Sequence, residues 1–161
     1  YKVAPPLRSR EDVRALRAAL RAGVVDCVGS DHAPHTRAEK EQDLLAAPFG
    51  IANLEVVFPL LYTELVRRGE LDLSTLLQLL TSGPSAVMGW AAPTLEPGSS
   101  ADLVLLDLDT VRPVAPERFL SRAKFSPWAG WPLAGWPAAT FHRGRMVFRA
   151  AEARLEPVRT P

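Results

Sequence analysis

The run Val24-Val25-Asp26-Cys27-Val28-Gly29, leading straight into Ser30-Asp31-His32-Ala33-Pro34-His35-Thr36, constrains this chain more than any other stretch. Its β-branched residues read as a short buried strand, so one carboxylate and two imidazoles follow where that strand stops. In a parallel α/β barrel the carboxyl ends of the strands form the face on which chemistry is done. A carboxylate there can hold a metal ion or take a proton from water bound to one. On spacing alone, a polar turn capping the next helix accounts for the same residues equally well.

The preceding residues favour a parallel architecture. Val3-Ala4-Pro5-Pro6-Leu7 cannot be helical through its two prolines and reads as a strand end entering a loop. Ser9 and Asp12 have the spacing of a capping box, Val13, Leu16 and Leu20 repeat at helical intervals, and Gly23 supplies the stop. Strand end, helix and strand between Lys2 and Gly29 make one piece of a parallel α/β fold.

Downstream, the charged stretch 37–43 reads as a solvated loop or helical turn. Ala47-Pro48-Phe49-Gly50-Ile51 reads as a turn in which Gly50 lets the backbone pass close to a ligand. Residues 54–68 predict a helix with Leu54, Val57, Phe58, Leu61 and Leu65 on its apolar face, ended by Gly69, with Pro59 marking a kink or a late start. A leucine-rich helix begins near Ser74, and a broken connection, 81–89, leads into another short helix. Beyond about Ala91 the composition changes. Pro97-Gly98 reads as a turn and 101–107 as a buried strand. In the proline-, glycine- and tryptophan-rich segment 112–137, Trp128, Trp131 and Trp136 read as packing against the preceding fold. Residues 139–149 predict a hairpin, with His142 a surface turn residue. Two domains are expected, 1–90 and 91–161.

Composition removes several classes of function. The 161 residues carry 19 basic and 18 acidic side chains, a net charge of +1, so no global field recruits nucleic acid or an anionic membrane. The most apolar region, 44–62, is interrupted by Pro48, Gly50, Asn53, Glu55 and Pro59, which argues against a membrane span. The single cysteine, Cys27, allows no internal disulfide and makes a reducing cytoplasm the expected compartment. No P-loop, dinucleotide fingerprint, Cys-x-x-Cys or nucleophile elbow is present. The chemistry gathers around Asp31.

Lys2-Val3-Ala4-Pro5-Pro6-Leu7-Arg8, Ser30-Asp31-His32-Ala33-Pro34-His35-Thr36 and Ala47-Pro48-Phe49-Gly50-Ile51 together resemble the last barrel segments of dihydroorotases of the amidohydrolase superfamily, of the bacterial multifunctional-complex type. The likeness extends over nearly the whole chain. It implies the carboxyl-terminal portion of a TIM (β/α)8 barrel, followed by strands of a small β-sandwich domain.

It also implies zinc-dependent interconversion of N-carbamoyl-L-aspartate and L-dihydroorotate in pyrimidine biosynthesis, with two Zn2+ ions per intact site. Asp31 would bind the more buried zinc, accept the proton of the attacking water and later deliver it to the leaving nitrogen. His35 would bind the substrate carboxylate, and the main chain of Phe49 and Gly50 the pyrimidine ring. His32 is left structural. Ala4 stands where the bacterial enzymes commonly have a substrate-binding asparagine, and alanine has no amide to offer there. An alanine before two prolines also resembles allantoinases, whereas His35-Thr36 favours dihydroorotase.

The family's remaining metal ligands are expected upstream of Tyr1, so this chain alone is expected neither to hold zinc tightly nor to turn over substrate. Two other readings stay open. One is an allantoinase- or hydantoinase-type cyclic amidohydrolase. The other is a non-catalytic homologue partnering aspartate carbamoyltransferase.

Overall fold

The computed structural model describes residues 1–150 and the backbone of 154–155. Of the expected second domain, 91–161, residues 151–153 and 156–161 lie outside the described residues.

Helix α1 (Arg10–Arg21) begins where the sequence places it. Ser9 Oγ accepts from the Asp12 amide while the Asp12 carboxylate takes back the Ser9 amide, which satisfies donors the first turn would leave open. Its polar side is tied to the rest of the fold, because Arg17 and Arg21 both pair with Glu70. Its apolar side is uncovered, with Val13 at 45% and Leu16 at 60% exposure.

The run 24–29 differs from expectation. It forms no β ladder among the described residues, and Val24 is exposed. A parallel ladder needs a neighbouring strand to take its N–H and C=O groups, and here the backbone partner is a helix end, Val28 N–H donating to Leu79 O at 2.9 Å. The parallel contact of this region is a single bridge between His32 and Ile51.

The expected helix over 54–68 starts late. α2 (Arg37–Lys40) is one capped turn, and α3 (Val57–Leu61) begins so that Pro59 falls in its first turn, where no intrahelical N–H is needed. α3 runs on into a π-helical turn, Tyr62–Val66. Leu54 stays outside the helix and exposed. Asp72 caps α4 (Leu73–Leu80), and α5 (Ser82–Met88) follows. A side chain at Gly83 would overlap the Asp26 carbonyl, so α5 lies directly against the 24–29 run.

The remainder is antiparallel. β1 (Leu103–Asp107), β4 (Trp136–His142), β5 (Arg145–Arg149) and β6 (Arg154–Leu155) form one sheet in the order β1-β4-β5-β6, while β2 (Arg112–Pro113) pairs with β3 (Pro132–Leu133). β1 was expected to be buried, but it is an edge strand and exposes Val104 and Leu105. The predicted hairpin turns at Arg143-Gly144, and the exposed His142 donates from Nδ1 to Asp102 at 2.7 Å.

A core of Val56, Val114, Phe119 and Leu133, flanked by Leu60, Trp128 and Trp136, joins the helical and strand-bearing segments. Full burial of each such aliphatic side chain contributes about 1.5–3 kcal/mol. Two tryptophans pack as expected, whereas Trp131 is 44% exposed. Polar links reinforce the junction. Glu55 accepts from the Leu120 and Ser121 amides, both at 3.0 Å, and Thr63 Oγ1 accepts from the Ala134 amide at 2.9 Å.

Gly135 has φ +86, and a Cβ there would meet Tyr62 Cδ1 at 2.7 Å. Gly135→Ala is therefore expected to lower the unfolding free energy by about 1–3 kcal/mol. Urea denaturation of parent and variant measures it, and equal midpoints would mean that Tyr62 moves aside freely.

Candidate active site

The three sequence blocks singled out above meet in space. Gly50 N–H donates to Lys2 O at 3.0 Å, Ala33 N–H to Ile51 O at 3.1 Å, and His35 Nε2–H to Phe49 O at 3.0 Å. Segment 48–51 is thus bound to both the first block and the Asp31 block.

Asp31 projects from this junction. Its φ of +44 puts it in the left-handed region, which aspartate tolerates better than most residues but still at a cost. The residues beside it are held from 51–54. Asn53 Nδ2 donates to Ser30 O at 2.6 Å, and the amides of Asn53 and Leu54 both donate to His32 Nδ1 at 3.0 Å. Nδ1 accepts twice and so carries no hydrogen, which places the ring proton on Nε2. His32 thereby has a structural task. The Asp31 carboxylate is exposed and has no hydrogen-bond partner among the described residues.

His35 is fixed differently. A carbonyl only accepts, so Nε2 carries the proton given to Phe49 O, while Nδ1 lies 3.9 Å from Glu39 Oε2. Glu39 is held in turn by a capping box, taking the Thr36 amide at 2.7 Å and the Thr36 hydroxyl at 2.8 Å. These bonds hold the Glu39 carboxyl below its usual range, with nearby His35 adding a smaller push in the same direction.

Gly50 was expected to bring the backbone near a ligand. The structure brings it near protein: φ is +127, and a Cβ would lie 2.5 Å from Ala33 Cβ and 2.7 Å from Ala33 O. Phe49 exposes its ring, over which Lys2 Nζ sits 4.4 Å from the centroid. Ala4 is exposed at the bend before Pro5 and supplies no polar side-chain group.

Sequence reasoning missed two residues. Asn53 holds both sides of Asp31, and its Oδ1 is a buried acceptor without a partner among the described residues. Lys40 was read within a solvated charged stretch, yet its ammonium is part-buried and donates to Lys2 O at 3.1 Å and Pro48 O at 2.8 Å. The lone asparagine and a lysine among charges carried no periodic signal. A cavity of about 380 Å³ beside this junction is lined by Lys2, Arg37, Lys40, Ala47 and Phe125 among others, and reaches neither Asp31 nor His35.

Among the described residues, no three His, Cys, Asp or Glu side chains converge as a metal site. Asp31 is one carboxylate, and a catalytic zinc usually needs three protein ligands. The side chains described here therefore do not fit a complete zinc site.

The amidohydrolase family model matches residues 3–147. The chain is 53% identical to a dihydroorotase of Deinococcus radiodurans over 149 residues, 92% of this chain and 35% of that protein. It is 55% identical to a dihydroorotase of Thermus aquaticus over 152 residues, 94% of this chain and 35% of that protein. The chain thus spans about a third of the length of the curated relatives it matches. Among solved structures, an L-hydantoinase (dihydropyrimidinase) from Arthrobacter aurescens superposes with a TM-score of 0.85 at 38% identity, over 92% of this chain and 34% of that one. The resemblance to dihydroorotases read from the sequence is borne out.

Two outcomes are expected. The 161-residue chain, dialysed against zinc and then buffer, retains less than one equivalent and does not hydrolyse dihydroorotate, as metal analysis and a turnover assay measure. Because the Glu39 carboxyl is depressed below its ordinary value of 4.5, its capping contribution is complete above that value and is lost as pH falls through the lower folded value. An NMR titration that follows the Glu39 side-chain carboxyl carbon itself should therefore give a midpoint below 4.5, and a midpoint at or above that value would contradict the cap.

Proposed function

The chain belongs to the amidohydrolase family, and from that premise we propose that it is the carboxyl-terminal part of a zinc-dependent dihydroorotase, which interconverts N-carbamoyl-L-aspartate and L-dihydroorotate. The observation that carries this reading is the Asp31 carboxylate, held in place through its neighbours while its own oxygens stay uncommitted.

In this reading residues 1–90 are the last strands and helices of a TIM barrel, and 91–161 return to a small β-sandwich domain. Unpaired 24–29 would then be a barrel strand whose neighbours belong to the rest of the enzyme, and the uncovered side of α1 would face them. Zinc belongs to the intact site, with ligands beyond this chain completing it. The intact enzyme is cytoplasmic, and no helix among the described residues is long and apolar enough to cross a membrane.

Asp31 accepts a proton from the attacking water and returns it to the ring nitrogen as the amide bond breaks. Such transfer is worth about 10²–10⁴-fold in rate. The ring finds a matching edge on the main chain. Phe49 N–H and Gly50 C=O have no hydrogen bond among the described residues, and one donor with one acceptor complements a cyclic amide. His35 receives the substrate carboxylate through Nε2–H, displacing the Phe49 carbonyl. Ala4 contributes only surface, so recognition rests more heavily on His35 and the 49–50 main chain.

The likeness to a hydantoinase structure gives a second reading, a cyclic amidohydrolase acting on a related ureide ring. The third is a catalytically silent homologue partnering aspartate carbamoyltransferase. The intact gene product, assayed with its zinc content and beside Asp31→Ala, separates these. Dihydroorotate hydrolysis, lowered by about 10²-fold or more in the variant, is expected. Preference for hydantoins or allantoin would favour the second reading, and a folded protein without zinc or turnover the third.

A further inference from the structure

We infer that Lys40 is a positioning residue for the proposed ring-binding main chain, acting as a clamp between Lys2 and Pro48; this rests on the dihydroorotase reading above. Lys40 ends the single turn α2, four residues beyond the Asp31 block, and turns its ammonium back under the loop. Its two carbonyl acceptors belong to the two other blocks, Lys2 O at 3.1 Å and Pro48 O at 2.8 Å. Lys2 O also accepts from Gly50 N–H at 3.0 Å, so one oxygen joins the ammonium to the glycine that would meet the ring.

The placement matters because the loop has little else to fix it on that side. Pro48 has no N–H, and the Phe49 ring is more than half exposed. The backbone from Pro48 to Ile51 is held at successive atoms by Lys40, His35, Lys2 and Ala33. Lys40 is the member of that series that reaches two segments at once. Hydrogen bonds from a charged donor are stronger than neutral ones, more so when partly shielded from water. Without the ammonium, the Pro48 carbonyl loses its partner and the 48–50 backbone gains freedom that substrate binding must then remove.

The test uses the intact gene product with Lys40→Met, Lys40→Gln and Lys40→Arg. Lys40→Met removes the charge and both bonds at similar length. It is expected to raise KM for dihydroorotate about tenfold, with kcat within about threefold of the parent. Lys40→Gln should fall between, and Lys40→Arg, which keeps a cation able to reach both carbonyls, should restore most of the loss. A purely structural role would instead reduce the folded, active fraction and lower kcat with KM unchanged. That split, or a parental KM in Met and Gln variants, would overturn the proposal.

If Lys40→Met does not accumulate as folded protein, Lys40→Gln carries the same comparison. Hydrogen–deuterium exchange over residues 44–53 supplies a readout that needs no turnover. Faster exchange there in the Gln variant, with other regions unchanged, is expected, and unchanged exchange refutes the clamp. A parent protein inactive on dihydroorotate would count against the proposed function, while the exchange result would still decide the clamp.

Discussion

The hydrogen bonds running from residues 51–54 back to 30–33 are what the site depends on. A non-glycine residue in the left-handed region costs about 1–2 kcal/mol, and a typical intramolecular hydrogen bond returns about 0.5–1.5 kcal/mol. Asp31 bears the cost, while four hydrogen bonds hold its neighbours: Asn53 and Leu54 donate one to Ser30 O and two to His32 Nδ1, and Ala33 N–H donates to Ile51 O. The balance favours the strained carboxylate, and it does so without spending any of that carboxylate's own oxygens. His32, the side chain most easily mistaken for a ligand, is the acceptor that makes this work.

The same short segment roots the site in the core. Two residues past Leu54, Val56 is fully buried against Val114, Phe119 and Leu133, and between them Glu55 takes two amides from the 120–121 backbone. Strain at Asp31 is therefore opposed by packing that reaches across to the β-sheet side of the chain. A loop carrying so few apolar contacts of its own could not hold that conformation without such a root.

Local signals were legible in the sequence because they act through neighbours in the chain. The Ser9 capping box, the stop at Gly23, the late start forced by Pro59 and the turn at Arg143-Gly144 all stand where the residues put them. The three blocks that meet near Asp31 were singled out by family resemblance and not by any local signal. What could not be read were features that need a partner far along the chain. Residues 24–29 have strand composition, but a ladder requires adjacent strands, and among the described residues none lies beside them. Lys40 sits among charges that are solvated, and only the fold brings the Lys2 and Pro48 carbonyls within its reach. Gly50 was rightly singled out for close approach, but the approach is to Ala33.

That last contact has an evolutionary reading. Ala33 Cβ already occupies the space where a side chain at position 50 would begin, and φ at 50 suits glycine alone. Shrinking residue 33 to glycine would clear the room without relieving the backbone, and enlarging residue 33 would push the loop carrying Phe49 outward. The two positions therefore form a mutational dead end: neither can drift while the other stays, and a paired change gains nothing. Variation in this part of the molecule is channelled to its rim, where Ala4 and the exposed ring of Phe49 can change without moving Asp31.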